Sequence, residues 1–324
     1  MGENRMNKRT GLLRSGAGMV MHNKRYIVWF YVLNLALAWF GAAAFSNQAH
    51  QVLDHSLAAE GLVHGFDAGV LTEMFAHPEF SGGTLNSTRA AAAGFAALFF
   101  VLTALFLPGV FQGYASTYRL PREDFFRVCG RNLWRFIRLL VAAGVVMGIV
   151  AVVLFLINGA VVKKAGDSTN ELLPFELQMT GFAIIFLLMT VLRIWFDLAE
   201  VDIVLNDQRA VRKSIGAAFR HTFQSLGSLL ARYVLITILA GVILLGGLLI
   251  WRKLVRPENV LGAVLVSQLT LLSLLIPRFW QRGVAVSYWQ REMLVPMPVI
   301  SSPITPSPIV LSPITPPPAE PQGA

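Results

Sequence analysis

Apolar residues along this chain gather into six long stretches, separated by blocks of polar and charged residues. The stretches are Tyr26–Ser46, Ala90–Phe111, Leu139–Val162, Leu177–Phe196, Tyr233–Trp251 and Val260–Pro277. A bilayer core needs roughly 20 apolar helical residues to cross it. Each stretch therefore reads as a membrane span. The last is the shortest and most polar, carrying Ser267, Gln268, Thr270 and Ser273. All six are expected to be helices, because hydrocarbon offers no partner for bare backbone N–H and C=O groups. The first stretch follows a basic region and ends in "GAAAFS", as a cleaved signal does. Its length and the 25 residues before it favour a retained signal-anchor.

The polar blocks have periodicity of their own. Leu177–Val191 contains no charge, and then Arg193, Asp197 and Glu200 follow at helical spacing on one face. That spacing allows either an Arg193–Asp197 ion pair or independent boundary charges. Asn206 or Asp207 reads as an N-cap for the next helix. There Val211, Ile215, Phe219, Phe223, Leu226 and Leu230 recur at three and four, with Arg209, Arg212, Lys213, Arg220 and Gln224 on other faces. Ahead of the third span, Pro121 suits a first helical position. Beyond it Arg127, Arg131, Arg135 and Arg138 form one basic stripe beside Phe125, Phe126, Trp134 and Phe136. The pattern predicts basic amphipathic helices lying in the interface, apolar side down, or else ordinary helices packed on their neighbours. Arg127, Arg131, Arg135, Arg212, Lys213 and Arg220 are the candidate contacts to anionic lipid headgroups.

Composition agrees with lipid as the solvent: 55% of residues are hydrophobic and 14% charged. The net charge of +9 would suit nucleic acid, but its placement follows topology instead. Residues 5–25 hold six Lys and Arg, 119–138 hold six, 193–232 hold six and 278–291 hold three, so 21 of the 27 lie on one side. The other six are Arg89, Lys163, Lys164, Arg252, Lys253 and Arg256. By the positive-inside rule both termini are cytoplasmic, and no nucleic-acid partner is expected. Basic stretches before the first, third and fifth spans hint at three tandem hairpins, although charge topology alone yields much of that pattern. The domain plan is a basic N-terminus (1–25), a six-span membrane region (26–295) and a Pro-rich cytoplasmic tail (296–324) with polyproline character. That tail is either a spacer or a partner-binding segment.

Chemistry is sparse. The loop Asn47–Arg89 holds four of the six histidines, His50, His55, His64 and His77, at spacings that match no metal motif. It reads as a solvated loop with a short helix near Leu57–Met74. The "NST" sequon at Asn86 abuts the second span. No phosphate-binding loop or nucleophile elbow occurs, no cofactor or metal is expected, and no catalytic constellation points to an enzyme. Cys129 is the single cysteine, either acylated or buried. Gly144 with Gly148, and Ala93 with Ala97, have the small-xxx-small spacing of close helix contacts. Asn34 and Gln268 are mid-span polar residues suited to interhelical hydrogen bonds or, if helices break near Pro108–Gly109, to lining a path.

The stretch "FDLAEVDIVLNDQRAVRKSIGAAFRHTFQSLGSLLARYVL", Phe196–Leu235, resembles a pattern in uncharacterised bacterial six-helix integral membrane proteins. There a span leaves through Asp-Leu-Ala into a segment with Asp, Arg and Ala, followed by a basic helix and the next span. Related arrangements are similar to the membrane region attached to some glycerophosphodiester phosphodiesterases, whose catalytic domain has no counterpart here. The resemblance implies a six-helix bundle in a bacterial plasma membrane and no established activity. The expectation is an all-α, polytopic, non-enzymatic membrane module that binds anionic lipid or scaffolds a protein partner. The alternative is a transporter or channel for a small solute or lipid.

Overall fold

The structure is a computed structural model. It describes residues 11–53, 85–116, 118–166, 172–256 and 259–293, with the backbone alone described at 40–53, 85–92, 260 and 293. Eight α-helices occur among them: α1 (Leu12–His22), α2 (Arg25–Leu53), α3 (Leu85–Ala115), α4 (Arg122–Ala165), α5 (Leu173–Leu205), α6 (Val211–Gln224), α7 (Leu226–Leu254) and α8 (Val260–Tyr288). A π-helical turn, Trp289–Met293, closes α8. No strand occurs among the described residues. Five helices, α3, α4, α5, α7 and α8, are long and apolar enough to cross a bilayer. The chain is a multi-pass helical membrane protein. The described apolar part of α2, Arg25–Trp39, is shorter than a span.

Several boundaries differ from the sequence reading. The basic segment 122–138 is not a separate helix, because α4 runs unbroken for 44 residues with no proline to interrupt its ladder. Likewise α8 does not stop at Pro277, and α3 runs through Pro108 without the break considered there; both prolines lie inside their helices. Losing one backbone bond at each is tolerated where neighbouring helices pack around the site. Residues 12–22, read as part of a basic terminus, form α1. The segment expected to be helical near Leu57–Met74, His55, His64, His77 and the Pro-rich tail lie outside the described residues. Asn86 falls in the first turn of α3.

Burial is concentrated at one end of the bundle. The largest fully buried side chains include Tyr26, Phe111, Phe125, Phe136, Tyr233 and Phe279. They lie near the start of α2, the end of α3, the first half of α4, the start of α7 and the last third of α8. The Tyr26 ring stacks on Phe125 with centroids 5.5 Å apart, and Asn23 Nδ2 donates to the Gly113 carbonyl at 3.4 Å. Toward the other end the helices turn apolar side chains outward: Ile149 and Leu156 on α4, Ile238 and Leu245 on α7, Leu265 and Leu269 on α8 are more than half exposed. Such surface suits lipid and would be a large patch in water.

Close backbone contacts occur at glycines other than the small-xxx-small pairs. Gly144 and Gly148 face open space, and Ala93 and Ala97 are exposed. The tight approach is between α1 and α8. A Cβ added at Gly16 would sit 2.8 Å from the Val284 amide nitrogen, and one at Gly283 would sit 2.7 Å from the Gly16 carbonyl oxygen. Trp280 Nε1 donates to the Leu13 carbonyl at 2.9 Å beside this contact.

A bulky residue there must separate two backbones rather than move a side chain. Gly16→Val is expected to destabilise the detergent-solubilised protein by about 1–3 kcal/mol, the usual cost of overpacking, and to expose α1 to protease. Gly18→Val, where nothing lies within 4 Å of an added Cβ, should melt like the parent in the same thermal assay.

Candidate functional site

The polar stripe on α5 ends in the packed end of the bundle. Arg193 Nε lies 3.9 Å from Asp197 Oδ2, one turn along the same helix. Asp197 and Glu200 are both buried. The fixed i, i+4, i+7 spacing puts the three on one face, and α7 and α8 pack against it. From α7, the Tyr233 hydroxyl donates to Asp197 Oδ2 at 3.0 Å and is also within reach of the Gln281 carbonyl, 3.2 Å away. From α8, Gln281 Nε2 donates to Thr237 Oγ1 at 2.9 Å and to the Tyr233 carbonyl at 3.3 Å. One network thus joins three helices through Asp197, Tyr233 and Gln281.

Glu200 sits beside this network in the field of Asp197, Arg282 and Arg193. Its Oε2 has no hydrogen-bond partner among the described residues. Arg282 lies with its guanidinium 5.4 Å from the Phe279 ring centroid. Buried charge is costly unless matched, and here the cations come from α5 and α8 while the carboxylates come from α5 alone.

A second polar junction holds the connector between α5 and α6. Asp207 adopts φ 48°, a left-handed conformation that Asp tolerates better than most residues. Its carboxylate accepts from Arg135 at 2.6 Å and lies 3.8 Å from Arg131. The hydrogen bond from Arg135, with the positive charge of Arg131 behind it, holds Asp207 below its ordinary carboxylate range. Asp207 is therefore not the N-cap of α6, and neither is Asn206. The helix begins after Ala210, while Asn206 Nδ2 donates to Asp202 Oδ1 at 2.6 Å. The Asp207 carboxylate is engaged by α4 instead of capping α6.

The six candidate lipid contacts divide accordingly. Arg135 is mostly covered, 18% exposed at its side chain. Arg131 is exposed and faces Asp207; Arg127 is exposed and pairs with Asp124 at 3.1 Å. Arg212, Lys213 and Arg220 are exposed on α6. They share that outer surface with Phe219 and Phe223, both about half exposed, while Ser214, Ala218 and Thr222 pack inward. Trp195 Nε1 donates to the Ile215 carbonyl at 2.8 Å and fixes α6 against α5. Of the mid-span polar residues, Gln268 accepts from the Tyr31 hydroxyl at 3.0 Å across α2 and α8. Asn34, half-buried, lies one turn beyond Tyr31 on α2. Cys129 is fully buried with its thiol near the Phe106 carbonyl, so it presents no surface thiol for acylation.

The sequence reading missed Tyr233, Thr237, Gln281 and Arg282. The signal for Gln281 and Arg282 is present in the sequence: Arg278, Gln281 and Arg282 recur at i, i+3, i+4 just beyond Pro277, while nothing comparable marks Tyr233 or Thr237. No protein-family model, curated protein or solved structure matches this chain.

Tyr233→Phe removes one donor from a buried carboxylate. It should cost about 1–3 kcal/mol in thermal or denaturant unfolding, and Asp197→Asn in the same background should cost much less than it does alone, since the two share one bond. The Asp207 junction carries a pH signature. A carboxyl lowered on folding stabilises the fold above its unfolded value, about 3.9, and that stabilisation fades as pH falls through the lower folded value. Asp207→Asn should therefore flatten the acid limb of the stability profile below about pH 4 and leave the slope above pH 5 unchanged.

Proposed function

We propose that the chain is a non-enzymatic plasma-membrane module, bacterial by its resemblance, whose basic cytoplasmic face holds anionic lipid headgroups. The observation that carries this reading is the outer face of α6. Arg212, Lys213 and Arg220 stand exposed beside Phe219 and Phe223, with no acidic partner among the described residues. Cations alone on a surface serve solubility. Cations flanked by exposed aromatic rings on a short helix, next to helices with lipid-suited flanks, match what an interface rewards: rings among acyl carbons, guanidinium and ammonium groups on phosphate.

In this reading the chain crosses six times. The first crossing is Tyr26–Ser46 within α2, a 29-residue helix of about 44 Å, enough for a bilayer core. The basic residues then fall on the cytoplasmic side with both termini. On the same side, Arg127 and Arg131 of α4 extend the cationic surface that α6 begins, and Arg135 secures the α5–α6 connector through Asp207. A protein partner with an acidic surface would be held by the same groups.

Each basic residue near an anionic surface is worth about 1 kcal/mol. Reversing Arg212, Lys213 and Arg220 together to Glu should therefore weaken retention of phosphatidylglycerol around the purified protein by at least tenfold, measured by mass spectrometry of co-purified lipid. Unchanged retention would remove the proposal. Solute flux in proteoliposomes that disappears with Asn34→Leu or Gln268→Leu would point to the transporter alternative instead.

A further inference from the structure

Between α2, α3 and the first turns of α4 lies an apolar groove of about 550 Å³. Trp29, Leu33 and Ala36 form one wall, Phe106 another, and Phe125 with Phe126 the third. Trp29, Val32 and Phe126 keep 37%, 56% and 53% of their surface open along it. On α2 the lining runs from Tyr26 to Ala36, about 15 Å of helix. The groove is therefore elongated along a helix, with aromatic walls.

A single charged residue lines this groove, Arg122 at the start of α4. Arg122 is exposed. The nearby carboxylates give it little: Asp124 is engaged by Arg127 at 3.1 Å, and Glu123 is exposed on the next helical position. A second positive charge stands behind the wall at the same end. The Arg25 guanidinium lies 4.9 Å from the Tyr26 ring centroid and 6.0 Å from that of Trp29. One terminal nitrogen is committed to the Tyr26 hydroxyl and the Leu120 carbonyl, each at 2.9 Å, while its Nε has no partner among the described residues. The groove thus pairs one cationic end with an apolar, aromatic length.

We infer that this groove is the binding site for one anionic phospholipid, its phosphate on Arg122 and an acyl chain along Trp29, Leu33 and Phe106. The inference rests on the lipid-facing reading above and adds where a single lipid is held and by which of its parts. A guanidinium matches a phosphate with two parallel hydrogen bonds; phosphatidylcholine offers the same phosphate but carries a choline cation that offsets the attraction, so net charge sets the preference for an anionic lipid. The apolar length suits hydrocarbon, and Trp29 sits where interfacial tryptophans sit, near the charged end.

The test uses the full chain in detergent, titrated with phosphatidylglycerol or with phosphatidylcholine of the same acyl chains and read by native mass spectrometry. A photoactivatable acyl probe on phosphatidylglycerol maps the contact. The wild type should hold one phosphatidylglycerol in preference to phosphatidylcholine, with crosslinks confined to 26–36, 106 and 122–126. Arg122→Glu should weaken that first lipid about tenfold, and Ala36→Trp should displace both lipids by filling the groove. Both positions are exposed, so folding should survive; Arg122→Gln and Ala36→Leu provide milder versions. Equal retention in Arg122→Glu and Ala36→Trp, or crosslinks spread over the outer faces of α7 and α8, would overturn the inference. The triple reversal on α6 separates the two ideas. If it sheds surface lipid but leaves the groove lipid, both stand. If it changes nothing while the groove variants lose their lipid, the groove stands and the broader reading falls. If it sheds lipid while the groove variants behave as wild type, the reverse holds.

Discussion

A carboxylate withdrawn from water has to be met by donors, and in this protein the donors to Asp197 come from two helices and are braced by a third. Arg193 approaches from its own helix and Tyr233 from α7, while Gln281 of α8 braces Tyr233 from the other side. Removing any partner would leave polar atoms buried without compensation, which is far more costly than the net worth of one bond. The ends of α5, α7 and α8 are therefore held together where the core is densest. The same convergence accompanies the continuation of α8 past Pro277: its packing contacts lie beyond the proline, at Phe279, Gln281 and Gly283.

Around this junction the rest of the basic end is fitted by backbone-level contacts. Gly16 and Gly283 let α1 lie directly on α8, and Asn23 turns the chain from α1 into α2 while bonding to α3. Arg135 holds the α5–α6 connector through Asp207. The opposite end is built on another principle. There α4, α7 and α8 turn leucine, isoleucine and valine outward, while their inner faces still meet a neighbour: Gly247 of α7 lies against Thr270 of α8, and Gly181 of α5 against Asn158 of α4.

The lipid readings draw on two different surfaces. The α6 face offers exposed cations and aromatic rings, suited to many headgroups at low individual strength. The groove between α2, α3 and α4 offers one cation and a defined apolar length, suited to one molecule. Proximity links them chemically: Arg122 opens the same helix that carries Arg127 and Arg131.

The run of apolar residues alone determined that this chain is helical and lives in a membrane, because only intrahelical bonding satisfies the backbone in hydrocarbon. Five spanning helices match the patterned stretches, and the i, i+4 spacing of Arg193 and Asp197 was enough to bring them onto one face. What periodicity could not decide was which face meets which helix. It placed close contacts at Gly144 and Gly148, which face open space, and a cap at Asp207, whose carboxylate a distant arginine takes. It ended α8 at a proline that the surrounding packing accommodates. Pairing Asp197 with Tyr233 and Gln281, and seating α1 on α8 through two glycines 267 positions apart in sequence, are choices made by tertiary contact, since nothing local in either segment encodes the identity of a partner so far along the chain.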